Sequence, residues 1–132
     1  MTDASEEKQN NAKKEKNNTI LAFLKNDDIL VEDHQDARII YDNGYYGLLQ
    51  KDKTLLLNFE EALHLLERGV ITIKGSKNQE LDVSDCTRIF SKKDEKFWKD
   101  YLVYKDLRNS GYIVGRGISD TMKYRLYPRG GK

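Results

Sequence analysis

The sequence predicts an α+β fold: a small mixed or antiparallel sheet with helices, followed by the first helix and strand pair of a second, α/β unit. Three observations carry this reading. Short apolar runs such as Ile20-Leu21-Ala22-Phe23-Leu24 and Ile29-Leu30-Val31 are separated by polar turns, as strands are. Phe59, Ala62, Leu63 and Leu66 recur at helical spacing behind Asn58. Phe97, Tyr101, Tyr104 and Arg108 share one face of a longer helical segment, which stops at Gly111 and runs into Tyr112-Ile113-Val114.

The elements follow in order. Residues 1–18 contain no large apolar side chain after Met1, so they cannot bury enough surface to offset their ordering entropy and are expected to form a disordered leader. Strands are expected at Ile20–Leu24 and Ile29–Val31, about the turn Asp27-Asp28. A third is expected at Ala37–Tyr41, closed by Asp42-Asn43-Gly44, which places His34 in the loop before it. Tyr45–Gln50 and Thr54–Leu57 flank the polar turn Lys51-Asp52-Lys53. Asn58 with Glu61 three residues on forms a capping-box variant, and Gly69 ends that helix. Val70–Lys74 resumes as a strand. Asp82 or Ser84 caps a short helix carrying Cys86, Ile89 and Phe90. Ser91-Lys92-Lys93-Asp94 is the most polar break, so the expected organisation is a unit at 19–92 and a second, incomplete one at 93–132. In the second, a helix over 94–109 precedes an antiparallel pair, Tyr112–Val114 with Lys123–Tyr127.

Composition narrows the function classes. Acids and bases nearly cancel, at a formal +1 over 132 residues, which argues against nucleic-acid binding by bulk charge while leaving room for a local basic patch. The single cysteine, Cys86, has no disulfide partner and no zinc-ligand set, and reads as a buried structural thiol. No run approaches the roughly 20 apolar residues of a membrane span, and the first residues lack the apolar core of a signal peptide. A cytoplasmic protein without membrane partners is the expectation. The acidic groups Glu60/Glu61/Glu67 and Asp94/Glu95/Asp100 match solvated helix faces better than a metal site, so no metal and no cofactor is expected. Phe97, Trp98, Tyr101 and Tyr104 read as core rather than as a base-stacking platform. His64 reads as a packed or half-exposed helix residue.

Four segments together resemble the archaeal tRNA-splicing endonuclease (tRNA-intron lyase) family over residues 20–127. Tyr46-Gly47 precedes an apolar strand. Leu57-Asn58-Phe59-Glu60-Glu61-Ala62-Leu63-His64-Leu65-Leu66-Glu67-Arg68-Gly69 is similar to the family's L-S-x-x-E-A-L-Y-L-L-x-x-G helix. Tyr101 to Val114 is similar to Y-x-V-Y-x-D-L-R-x-R-G-Y-I-V. Arg125-Leu126-Tyr127-Pro128-Arg129-Gly130 is similar to F-R-V-Y-x-R-G. The resemblance implies an N-terminal α+β domain joined to the beginning of an α/β nuclease domain. It also implies homo- or hetero-oligomers with other endonuclease subunits, and cleavage of precursor tRNA at a bulge-helix-bulge. That cleavage is metal-independent and leaves 2′,3′-cyclic phosphate and 5′-hydroxyl ends, through a Tyr, a His and a Lys.

Carried over by position, Tyr127 aligns with the family's tyrosine, and Arg116, Arg125, Arg129 and Lys132 are the expected RNA contacts around it. A phenol has an ordinary pKa near 10, so a base role at neutral pH needs a cationic setting. Read alone, Tyr127 is also an ordinary strand-end tyrosine beside solvated arginines. Arg108 suits either a phosphate contact or a surface ion pair. Neither His34 nor His64 follows Tyr127, so neither takes the family histidine's place, and the chain alone is expected to be inactive. The segment Gly117–Tyr127 departs from the family's G-L-K-F-G-A-D-F-R-V-Y, with Ser119, Asp120, Thr121 and Lys123 at the third, fourth, fifth and seventh positions. That erosion suits the alternative of a non-catalytic structural subunit that supports assembly and RNA positioning.

Overall fold

The computed structural model describes residues 19–119 and 122–127. The expected leader (residues 1–18), Arg129 and Lys132 lie outside them. Among the described residues eight strands and four helices follow one another in the order β1 (Ile20–Lys25), β2 (Asp28–Val31), α1 (His34–Gly44), β3 (Leu48–Leu49), β4 (Leu55–Leu57), α2 (Phe59–Glu67), β5 (Ile71–Lys74), β6 (Glu80–Leu81), α3 (Val83–Lys93), α4 (Phe97–Asn109), β7 (Ile113–Ser119) and β8 (Met122–Tyr127). This is an α+β fold. No helix among the described residues is long and apolar enough to cross a membrane.

Strands β1 to β6 form one mixed sheet in the order β3-β4-β2-β1-β5-β6. Only β1 and β5 run parallel; the other pairs are antiparallel. The parallel pair requires a crossover, and helix α2 lies within it, between β4 and β5. Period-two burial fixes the register. Ala22 faces Ile73 and Ile73 faces Leu81, while Leu24 faces Ile29 and Ile29 faces Leu57; all of these are buried. A slip of one residue would turn this whole set to the other face of the sheet.

One expected strand is a helix. Residues 37–41, read as β from Ile39-Ile40-Tyr41, belong to α1. Asp33 supplies the cap, its side chain accepting from the Asp36 amide at 3.0 Å. Ala37 and Ile40 are buried and Tyr41 packs beside them, an i, i+3, i+4 set, while Ile39 is 49% exposed. In a strand Ala37, Ile39 and Tyr41 would share a face. The polar residues ahead of Ala37 conceal the first turn, and His34 stands in that turn instead of a loop.

Helix α2 forms as expected. The Asn58 side chain accepts from the Glu61 amide at 2.8 Å, and the Glu61 carboxylate accepts from the Asn58 amide at 2.9 Å. Gly69 takes φ +74° beyond the last turn. Glu60 and Glu61 are buried, at 4% and 2% exposure, so the expectation of a solvated acidic face fails here. The second Glu61 oxygen accepts from the Gly47 amide at 2.8 Å, which draws the Tyr46-Gly47 loop onto the helix. Gly47 sits at φ +82°, where a Cβ would come within 2.8 Å of the Leu56 carbonyl oxygen, so glycine is required.

The expected boundary at 92/93 falls at the last residues of α3, yet the apolar core continues past it. Phe59 stacks on Phe90 with ring centres 4.4 Å apart, Phe97 meets Phe90 edge-on at 5.4 Å, and Tyr101 stacks on Phe97 at 5.7 Å. Phe97, Tyr101 and Tyr104 are buried as expected, whereas Trp98 is 46% exposed and Leu102 is 50% exposed on the outer side of α4. Cys86 is fully buried, and burial together with Asp85 and Asp82 pushes its thiol up to about 12, which keeps it unreactive. Strands β7 and β8 form the expected antiparallel pair.

Asn58→Ala should cost about 1 kcal/mol, the ordinary value of an N-cap. Glu61→Ala should cost more, roughly 2–5 kcal/mol, because it leaves two backbone amides without their acceptor. Urea titration of both variants checks this; equal midpoints would refute the double role of Glu61.

Candidate nucleic-acid interface

The local fold first positions Tyr46. Helix α1 ends at Gly44, and Tyr45 follows in the left-handed region at φ 56°, its amide bonded back to the Tyr41 carbonyl. This reversal aims Tyr46 inward, where it is 5% exposed. From α2 comes His64, whose Nδ1 lies 2.9 Å from the Tyr46 hydroxyl. Just past α2, Arg68 donates to the same hydroxyl at 3.3 Å. A guanidinium can only donate, so the tyrosine oxygen accepts from Arg68. The Asn109 side chain also interacts with the His64 ring.

Helix α4 closes the cluster with Arg108. Its Cζ lies 3.8 Å from the centre of the Tyr46 ring. Its Nε donates to the Tyr104 hydroxyl at 3.0 Å and its Nη1 to the Gly44 carbonyl at 2.8 Å. Among the described residues its Nη2 is buried with no partner. Among them Arg108 also forms no surface ion pair: the partners named here are neutral. The result is a cavity of about 300 Å³ with Tyr46, His64, Arg68, Arg108, Asn109 and Ile113 in its wall.

The electrostatics follow from this composition. Burial lowers the His64 pKa to about 4, with Arg68 and Arg108 adding to the effect; Asn109 and Glu67 oppose it. The imidazole is neutral at pH 7, so it is a hydrogen-bonding group there and not a proton reservoir. Burial also raises the Tyr104 and Tyr101 phenols, with Tyr101 donating to Glu67, so neither ionises near neutrality.

The site residues expected around Tyr127 are described only in their backbone. Tyr127 ends β8 opposite Ile113, Arg125 is opposite Gly115, and Arg116 is opposite Tyr124. These positions therefore lie on one two-stranded ribbon. Arg129 and Lys132 fall outside the described residues. A link that sequence reasoning missed is that Ile113, the register partner of Tyr127, is also part of the cavity wall. Tyr46 carried a signal through its glycine, and Arg108 through its place on the aromatic face of α4. Arg68 carried none.

The carboxylates of Glu60, Asp94 and Asp100 come within 4.8 Å of one another. This set mixes the two sequence runs considered separately above. One Asp94 oxygen is engaged by the Lys96 amide at 3.0 Å, and such groupings of acids commonly hold no ion.

The low His64 pKa sets a pH dependence. An unfolded histidine titrates near 6.5 and the folded one near 4, so the unfolded chain binds more protons between these values. This contribution to stability should be lost as pH falls from about 6.5 and level off below about 4. The groups facing the ring are Tyr46, Tyr104, Arg68, Arg108, Asn109 and Glu67. An NMR titration of the imidazole checks it; a midpoint at or above 6.5 would contradict the assignment.

Comparison with known proteins agrees with this architecture. The family described as "tRNA intron endonuclease, N-terminal domain" matches residues 20–87, and "tRNA intron endonuclease, catalytic C-terminal domain" matches residues 97–132. A tRNA-splicing endonuclease of Pyrococcus furiosus is 39% identical over 113 residues, which is 85% of this chain and 65% of the relative. One from Thermococcus gammatolerans is 35% identical over 111 residues, 84% of this chain and again 65% of the relative. One from Methanosarcina barkeri is 30% identical over 109 residues, 83% of this chain but 31% of the relative. The chain thus spans about 65% of the length of the first two. With the N-terminal domain matched over 20–87 and the catalytic C-terminal domain over 97–132, this chain belongs to the tRNA intron endonuclease family.

Proposed function

We propose that this chain is a subunit of a tRNA-splicing endonuclease that cuts precursor tRNA at intron boundaries, at the bulge-helix-bulge, without a metal ion. The observation that carries the reading is the ordered match of both domains of the family. In the reaction the ribose 2′-oxygen attacks the adjacent phosphorus. The 2′-O–P bond forms and the P–O5′ bond breaks, leaving a 2′,3′-cyclic phosphate and a 5′-hydroxyl. A base takes the 2′-proton, an acid protonates the leaving 5′-oxygen, and a cation stabilises the charged phosphorane. Tyr127 is the proposed base. Arg116 and Arg125 are near it in register on β7 and β8, and Arg129 and Lys132 follow it in sequence. Their positive field favours a phenolate, and all four arginine and lysine side chains are proposed contacts to RNA. No residue of this chain is assigned as the acid or the phosphorane cation. Dependence on the 2′-hydroxyl restricts the reaction to RNA.

A second reading is favoured by Ser119, Asp120, Thr121 and Lys123, which replace the residues of the family pattern. On it the chain is a structural subunit, and Tyr127 serves packing or RNA placement. Either reading includes assembly with further endonuclease subunits. The apolar outer side of α4, with Trp98, Leu102 and Val103 each about half exposed, supports such an interface.

End-labelled precursor tRNA, incubated with this chain alone and with candidate partner subunits, separates the two. The catalytic reading expects cyclic-phosphate ends in the presence of EDTA, lost at least about 100-fold in Tyr127→Phe, the scale of a general base. Indifference to that substitution would leave the structural reading. Size-exclusion chromatography with light scattering should show an oligomer; a monomer at all concentrations would count against assembly of this chain with itself.

A further inference from the structure

We propose that the cavity between the Tyr46 loop and the ends of α2 and α4 binds one phosphate group of an RNA backbone. This deepens the endonuclease reading and rests on it for the choice of RNA. Among the described residues two guanidinium groups, Arg68 and Arg108, line the cavity, and no acidic residue does. Among the described residues neither arginine has an ion pair. Arg108 is held in place by neutral groups alone: the Tyr46 ring, the Tyr104 hydroxyl and the Gly44 carbonyl. Those contacts orient its planar fork without neutralising it, and they leave Nη2 without an acceptor. A buried charged donor lacking an acceptor is costly, and a rotation of the guanidinium toward the cavity would let an incoming anion oxygen relieve that cost. Arg68, on the open side, supplies a second charged donor that can swing onto the same anion.

The rest of the wall suits a nucleotide better than a lone ion. The cavity, at about 300 Å³, has room for a phosphate with its sugar. Asn43 and Asn109 offer amides, and Tyr112, 43% exposed, offers a ring on which a base can stack. Ile113 in the wall faces Tyr127 across the β7–β8 ladder, where facing Cα atoms lie about 5 Å apart. A phosphate held here therefore lies beside the strand that carries the proposed base, and serves to position the RNA.

The two histidines make the test direct. His64 lines the cavity and His34 is exposed elsewhere, on α1. The imidazole Cε1–H signals are followed while the full chain is titrated with inorganic phosphate and, separately, with a 2′-O-methyl oligoribonucleotide, which cannot be cleaved. The expected result is a saturable shift of His64 with both, and none of His34. Arg68→Gln should weaken both by about tenfold while the chain keeps a cooperative melt, since Arg68 is exposed and its bond to the Tyr46 hydroxyl is long. It should also lower the salt slope of oligonucleotide binding by about one. Arg108→Lys, which keeps the charge but loses the fork, should weaken binding as well. No His64 shift with either ligand overturns the proposal, and a shift with inorganic phosphate alone overturns its assignment to RNA. A His64 shift in a chain that yields no cyclic-phosphate ends with any partner keeps the phosphate site and removes the catalytic reading.

Discussion

The structure depends on a single buried carboxylate. Glu61 accepts from the Asn58 amide with one oxygen and from the Gly47 amide with the other. The first bond starts α2; the second pins a loop more than ten residues upstream onto that helix. A carboxylate at 2% exposure would be prohibitive without such donors, and here backbone amides supply them. Because the Gly47 amide is fixed, Tyr46 is fixed. Tyr46 in turn is the surface against which His64, Arg68 and Arg108 are arranged. A helix cap and the placement of the cavity's tyrosine thus depend on one residue.

The same economy holds at the other side of α2. Its Phe59 stacks on Phe90 of α3 and meets Phe97 of α4 edge-on, and Phe97 then stacks on Tyr101. This chain of rings makes α4 part of the same core as the six-stranded sheet. The helix is consequently a rigid arm: its inner face anchors in aromatic packing, and its last turn presents Arg108 to the Tyr46 loop. Strand β7 leaves directly from the end of that arm, so the β7–β8 ribbon inherits its placement from α4. Both arginine environments, the cavity and the ribbon, are positioned by helix packing and not by their own local sequence.

The outer side of α4 has a different physical character. Trp98, Leu102 and Val103 are half exposed although the opposite side is buried. A helix apolar on both sides needs cover on both. Within the described residues α2, α3 and β7 provide it on one side only.

Much of the fold could be read from residue order, because strands, caps and helix stops are local. Asn58 with Glu61, Gly69 and the Gly111 stop all act within a few residues and appear where the pattern placed them; of Asp82 and Ser84 it is Asp82 that caps, and the β1–β2 turn falls at Asn26-Asp27, one residue before its expected place. The α1 helix was misread for the same reason: Ile39-Ile40-Tyr41 has a local β signature, and only packing against the sheet shows that Ala37 and Ile40 turn inward while Ile39 does not. By itself, then, the sequence determined the α+β class, the order of most elements and the family likeness. Tertiary structure alone decided that Glu61 would be buried, that Arg108 would stack on Tyr46 instead of pairing at the surface, and that Ile113 would link the cavity to Tyr127. The physical reason is distance along the chain. Gly44 and Arg108, or Gly47 and Glu61, meet only after the sheet and helices have packed, and no spacing rule connects them beforehand.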